Sequence, residues 1–268
     1  MPTPMDMASL ARILRFPVKS LSAEDLERIT LVAGHGLPGD RRFALARAET
    51  SPPTEPRWLP NDQLLTLSRF PRLAQLDTRL DGERLTIRRR GRVVLSTDVG
   101  TVHGRSVVSA FFAAFLAGEC FGHPRLVEFA DGFGDTPLPR LSLMGAATLD
   151  EVERAGGRRL DPAELRANLV LKDLAPRSEQ HWIGRRLHLG NAVLAVTNAV
   201  ERVILPELHG STFGHGHLGV WAEVVTGGDI RLGDEASTIL TSDIGSTDNH
   251  LPTTMDSQQR RSNAGNLV

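Results

Sequence analysis

Cysteine, lysine and long apolar runs are scarce in this 268-residue chain. Its one cysteine, Cys120, excludes an intramolecular disulfide and a cysteine-cluster metal site, and it fits a reducing compartment, so a cytoplasmic location is expected. The longest apolar run, Val107 to Gly118, is interrupted by Ser109 and falls well short of the ~20 residues that span a bilayer. The opening Met1-Pro2-Thr3-Pro4-Met5-Asp6 lacks a basic region followed by an apolar stretch, so no secretory signal and no membrane association are expected. Charge of one sign is also missing. A net charge of -1 offers no clustered basic excess for nucleic acid or an anionic membrane, and any anion must be held locally. No G-x-S-x-G elbow, H-E-x-x-H or Walker loop occurs, which removes the common hydrolase and nucleotide-hydrolysing chemistries.

The scarcity of lysine directs attention to the lysines present. Lys19 and Lys172 stand against twenty-nine arginines. Lys19 lies in Phe16-Pro17-Val18-Lys19-Ser20, and some twenty residues later comes Gly39-Asp40-Arg41-Arg42-Phe43. An ammonium beside a hydroxyl, joined by an arginine fork that a neighbouring acid can orient, is equipment for holding phosphate or another compact anion. Two further basic groups belong with them. Arg166-Ala167-Asn168 sets a guanidinium and an amide on one side of an extended segment, and Arg202 follows the strand-loop Thr197-Asn198-Ala199-Val200-Glu201.

The hydropathy pattern predicts a mainly β chain. Short β-branched or leucine-rich runs occur at 11–18, 26–32, 42–47, 73–79 and 84–88, and a hairpin through Gly91 leads into Val93-Val94-Leu95. That hairpin sets Arg88, Arg89, Arg90 and Arg92 on a solvated face. Further strands are expected at 169–172, 186–189, 193–197, 220–225 and 230–232. Two helices are expected. Residues 106–117 carry Val108, Phe111, Phe112 and Phe115 on one stripe with Gly118 as the stop, and 144–155 ends at Gly156-Gly157. Asp161-Pro162-Ala163-Glu164 reads as one capped turn. Residues 241–268 lack apolar periodicity and read as a disordered tail.

Two suggestive motifs are set aside. Gly214-His215-Gly216-His217-Leu218-Gly219 matches G-x-G-x-x-G, but strand-like residues follow where a dinucleotide site needs a helix. His209, His215 and His217 in the same region lack a carboxylate to complete a zinc set, and they read as incidental loop histidines; no metal ligands are assigned.

Taken together, these segments resemble the MOSC family, named for the C-terminal domain of molybdenum cofactor sulfurases and best known from the mitochondrial amidoxime-reducing component. The N-terminal resemblance rests on Phe16 to Ser20, Gly39 to Leu45 and Pro71-Arg72-Leu73-Ala74. The C-terminal one rests on Leu141 to Met144, Arg166 to Leu169, Trp182-Ile183-Gly184, Leu189-Gly190, Gly219-Val220-Trp221 and Ile230 to Asp234. The resemblance implies an N-terminal β-barrel domain at 8–120, a MOSC β-barrel of the pyruvate kinase type at 121–240, and some helix outside them. It also implies the molybdenum cofactor, molybdopterin, with Lys19, Ser20, Arg41, Arg166 and Asn168 on family contacts and Arg202 close by. Sulfurases fuse this domain to a pyridoxal-dependent enzyme, but neither lysine lies in a fold of that type, so no pyridoxal phosphate is expected.

One position departs from the family. Where relatives have an Arg-Cys pair whose thiolate binds molybdenum, this chain has Arg202-Val203, and valine has no lone pair to offer. Glu164 stands where many relatives have arginine, and Glu201 adds a negative charge beside Arg202. Two functions remain open. One is an oxidoreductase, or oxygen- or sulfur-transfer enzyme, for N-hydroxylated small molecules, fed by an external electron-donor protein. The other is a non-redox carrier of molybdopterin or another phosphorylated ligand.

Overall fold

The computed structural model describes residues 7–51, 55–203 and 215–239. His209 and the expected tail at 241–268 lie outside the described residues. The N-terminal strands are β1 (Ala8–Arg15), β2 (Glu24–Leu26), β3 (Arg28–Leu31), β4 (Phe43–Ala46), β5 (Leu76–Asp81), β6 (Arg84–Arg89) and β7 (Arg92–Asp98), followed by helix α1 (Val102–Phe115). Next come β8 (Arg125–Glu128), β9 (Leu141–Gly145), helix α2 (Ala146–Gly156), β10 (Leu169–Lys172), β11 (Arg186–Leu189), β12 (Ala192–Val203), β13 (His215–Thr226), β14 (Gly228–Arg231) and β15 (Glu235–Ile239). The mainly β expectation holds.

Seven strands close on themselves in the order β1-β10-β9-β13-β12-β11-β15 and back to β1, with β2 added on the edge of β1. Every second residue points into this barrel, as the two-residue repeat of a strand requires: Leu141 and Leu143, Leu169 and Leu171, Leu187 and Leu189, Leu194 and Val196, Val220 and Ala222. Strand β1 shows how a bulge serves closure. Its pairing with β10 slips between Leu10 and Arg12, so Ala8, Leu10 and then Ile13 enter the barrel core while Leu14 turns to a second cluster with Phe16 and Val170.

The first strand of the N-terminal segment therefore belongs to the C-terminal barrel. Strand β3 likewise pairs with β14. What remains of the first half is the three-stranded sheet β5-β6-β7, roofed by α1, and the pair β4-β8. The predicted helical stripe is the buried one: Val108, Phe112 and Phe115 face the sheet, and Phe111 lies partly buried against it. The β6–β7 hairpin turns through Arg90 and Gly91, both with positive φ, the geometry of a tight primed turn. Arg89 leaves the solvated face expected for it, reaching Gln75 at 2.9 Å and lying over the ring of Phe115. Residues 73–79 begin as a 3-10 turn with Pro71 at its start and become strand only at Leu76. Among the described residues, no helix is long and apolar enough to cross a membrane.

Candidate functional site

The two basic segments singled out from composition are paired with each other. Val18 and Phe43 form a parallel bridge; the amide of Lys19 donates to Phe43 O at 2.8 Å, and that of Phe43 donates to Pro17 O at 3.0 Å. Asp40 locks this junction to the end of β1. One of its carboxylate oxygens accepts from the Phe16 amide at 2.8 Å, and the other holds the guanidinium of Arg41.

Arg166 arrives from the turn before β10. That turn is capped as expected: the Asp161 carboxylate accepts from the Ala163 amide at 2.8 Å, and Glu164 accepts from the Asp161 amide at 3.1 Å. The guanidinium groups of Arg41 and Arg166 both lie over the Phe16 ring, and Arg41 also donates to the Arg166 carbonyl at 3.2 Å. Arg166 donates in addition to Leu21 O at 2.5 Å.

Backbone conformation marks the same residues. Ser20, Arg41 and Arg166 all have positive φ, at 69°, 52° and 57°. A non-glycine residue held there costs on the order of 1–3 kcal/mol, and such strain gathers where function needs it. The three line one open cleft of about 440 Å³ together with Lys19, Asn61, Asp135, Glu164 and Glu201. That volume is in the range of small-molecule sites. The hydroxyl of Ser20 has no hydrogen-bond partner among the described residues, so it is free to meet a ligand.

Lys19 has a different role from the one its scarcity suggested. Its side chain is 6 % exposed, and its ammonium spends all three donors inside the protein, on Phe133 O at 2.8 Å, Gly134 O at 3.1 Å and the Asp135 carboxylate at 3.1 Å. Burial holds it below the ordinary lysine range; Asp135 opposes that shift, and Arg41 and Arg166 add to it. Surrounding protein pushes the Asp135 carboxyl upward, but Lys19, Arg41 and Asn61 together keep it below the usual carboxylate range. The strap that carries Asp135 is tied further by Trp58, which donates to Gly134 O at 3.0 Å, and by Arg41 O, which accepts from the Phe133 amide at 2.8 Å.

Asn168 is near the cleft in sequence but not on its wall. Fully buried, its amide oxygen accepts from the Ser142 amide at 3.1 Å and its amide nitrogen donates to Leu14 O at 3.2 Å. It joins β9 and β1 at the start of β10. Arg202 and Val203 continue β12, paired with Gly216 and His215 across the ladder, one and two positions along from the Glu201 that lines the cleft. Cys120 packs against the core under α1, where burial raises its thiol, and it does not line the cleft.

The last glycine of the G-x-G-x-x-G segment has a structural explanation. Gly219 sits in β13 with φ of 80°, and a Cβ there would press into Leu143 O of the neighbouring strand. Residues 215–219 are strand and continue into Val220, with no helix behind them.

Residues 7–120 match the family model of the MOSC N-terminal beta barrel domain, and residues 137–237 match that of the MOSC domain. The chain belongs to the MOSC family. No curated protein sequence matches this MOSC protein significantly. Two similar solved structures are the YuaD protein of Bacillus subtilis and YiiM of Geobacillus stearothermophilus. YuaD is 13 % identical over 87 % of this chain and 95 % of its own, with a TM-score of 0.44. YiiM is 17 % identical over 37 % of this chain and 54 % of its own, with a TM-score of 0.29.

Proposed function

We propose that this MOSC protein binds the molybdenum cofactor by its pterin phosphate, in the cleft of Ser20, Arg41 and Arg166, and acts as a holder of that group. The observation that carries this reading is the shared left-handed conformation of those three residues, which brings one free hydroxyl and two guanidinium groups to a single opening. A doubly charged phosphate with several acceptor oxygens suits paired guanidinium groups better than any neutral ligand would.

The phosphate end of the cofactor fits the residues present; the metal end does not. Val203 has no lone pair for molybdenum, and the sulfur of Cys120 is packed elsewhere. When bound, the cofactor supplies two-electron oxygen-atom or sulfur transfer. The residues of this chain hold and orient its phosphate, and the missing thiolate favours the carrier reading over the oxidoreductase one.

The test is purification from a host that makes the cofactor, with molybdenum measured by elemental analysis and pterin by fluorescence after oxidation. The expected result is bound pterin with molybdenum well below it, and a rise in molybdenum on Val203→Cys. Stoichiometric molybdenum in the unaltered protein would establish the oxidoreductase reading instead. Absence of pterin, together with no affinity for phosphate esters, would remove cofactor binding altogether.

A further inference from the structure

The carboxylate on Lys19 is the least expected feature of the cleft. A site built for an anion already contains one. The two ends of the Lys19–Asp135 pair are unequal: the lysine side chain is 6 % exposed and the aspartate side chain 70 %. Lys19 cannot follow its partner. Asp135 can swing to water with little rearrangement, because among the described residues only Lys19 and a 3.4 Å contact from Asn61 hydrogen-bond its carboxylate. Two of the three ammonium donors are committed to the carbonyls of Phe133 and Gly134, so a single donor is exchangeable. It faces the cleft that Arg41 and Arg166 also line.

We propose that Asp135 is a specificity-determining residue that keeps the anion seat on Lys19 occupied, so that the cleft selects phosphate monoesters over singly charged anions. This deepens the phosphate-holding reading and rests on it. A monoester carries between one and two negative charges near neutral pH and has three terminal oxygens. It replaces the single charge of Asp135 with a larger one and still reaches Arg41 and Arg166. A phosphodiester or a carboxylate offers one charge for one charge and gains nothing at Lys19. Glu164 and Glu201 on the same wall raise the threshold, since weak anions are repelled with no compensating exchange.

The experiment is calorimetric titration of the full chain with phenyl phosphate, a monoester, and methyl phenyl phosphate, a singly charged diester. It is carried out on the unaltered protein, Asp135→Asn, Asp135→Ser and Lys19→Met. The unaltered protein is expected to prefer the monoester at least tenfold. Both Asp135 variants should bind the diester about tenfold more tightly than the unaltered protein does, narrowing the preference to threefold or less, and Lys19→Met should abolish it. Binding seen only in the Asp135 variants would mean that a monoester cannot displace Asp135, and it would overturn the selective role while leaving the phosphate site standing. If the unaltered protein binds phenyl phosphate and both Asp135 variants keep its preference, the role of Asp135 is overturned while the phosphate site stands. If neither the unaltered protein nor either Asp135 variant binds either ester, both readings fall.

Discussion

Arg41 and Arg166, 125 residues apart in sequence, place their guanidinium carbons 4.9 and 4.1 Å from the centre of one buried ring, that of Phe16. The pairing brings two like charges together, which needs the ring's electron-rich face and the carbonyls of Leu21 and Arg166 as compensation. Phe16→Leu keeps an apolar filler and removes that face. It is expected to cost about 1–2 kcal/mol in urea unfolding and to weaken phosphate binding in protein that remains folded by circular dichroism.

Asn168 gives the opposite signature. Truncation to alanine leaves the Ser142 amide and Leu14 carbonyl without the partners they have in the buried interior. Stability should fall by about 2–4 kcal/mol, the cost of stranding such groups, while the phosphate affinity of the folded fraction stays unchanged. A titration below the unfolding midpoint separates the two effects.

Gly132 lets the strap pass over Asp40. Its φ is 81°, and a Cβ there would collide with the Asp40 carbonyl. Gly132→Ala is expected to lose about 1–3 kcal/mol. Gly157→Ala, also at positive φ but with open space around it, should lose less. Urea midpoints of the two variants, measured side by side, isolate the collision from the backbone cost.

Glu128 predicts the acid side of the stability curve. Burial raises its carboxyl, but hydrogen bonds from Arg42 and Arg105 hold it below the ordinary 4.5. With the folded value below the unfolded one, its contribution is complete above about pH 4.5 and is lost as pH falls through the folded value. Glu128→Gln should therefore destabilise the protein at pH 7, by an amount that shrinks as pH falls from 4.5 through the folded value. Unfolding free energies across that range should fall less steeply in the variant.

Residue chemistry and periodicity made much of this legible. Lys19 and Arg41 stood out by composition, and their segments do form a bridge; the α1 stripe and the Gly91 hairpin follow from spacing. Strands β8 and β15 carry no sequence signal because Arg125 to Glu128 and Glu235 to Ile239 are short and have charged or small residues whose strand character comes from their neighbours, and β9 is hidden because Leu141 to Gly145 runs directly into α2, so that Met144 and Gly145, expected to be helical, are strand. Asp135 gave no signal, being one exposed acid in a stretch interrupted by glycine and proline. Its meaning comes from Lys19, 116 residues away. Asn168 looked like a ligand contact because a polar residue beside an arginine reads the same whether it faces a cleft or ties strands together.

The place of β1 has a consequence for how the molecule is made. Ala8 pairs with Ala236, and the same strand pairs with β10 through Ser9 and Lys172. The barrel cannot close until nearly the whole described chain has left the ribosome, and its contacts are among the most distant the sequence allows, which favours slow folding. During synthesis β1 has only its short pairing with β2 while it waits for β10 and β15, and the α1 sheet, whose contacts are local, can form first. A fragment expressed from residue 121 onward would leave β10 and β15 with bare edges, an invitation to aggregate. Supplying residues 7–31 as a separate peptide would be the way to rescue it.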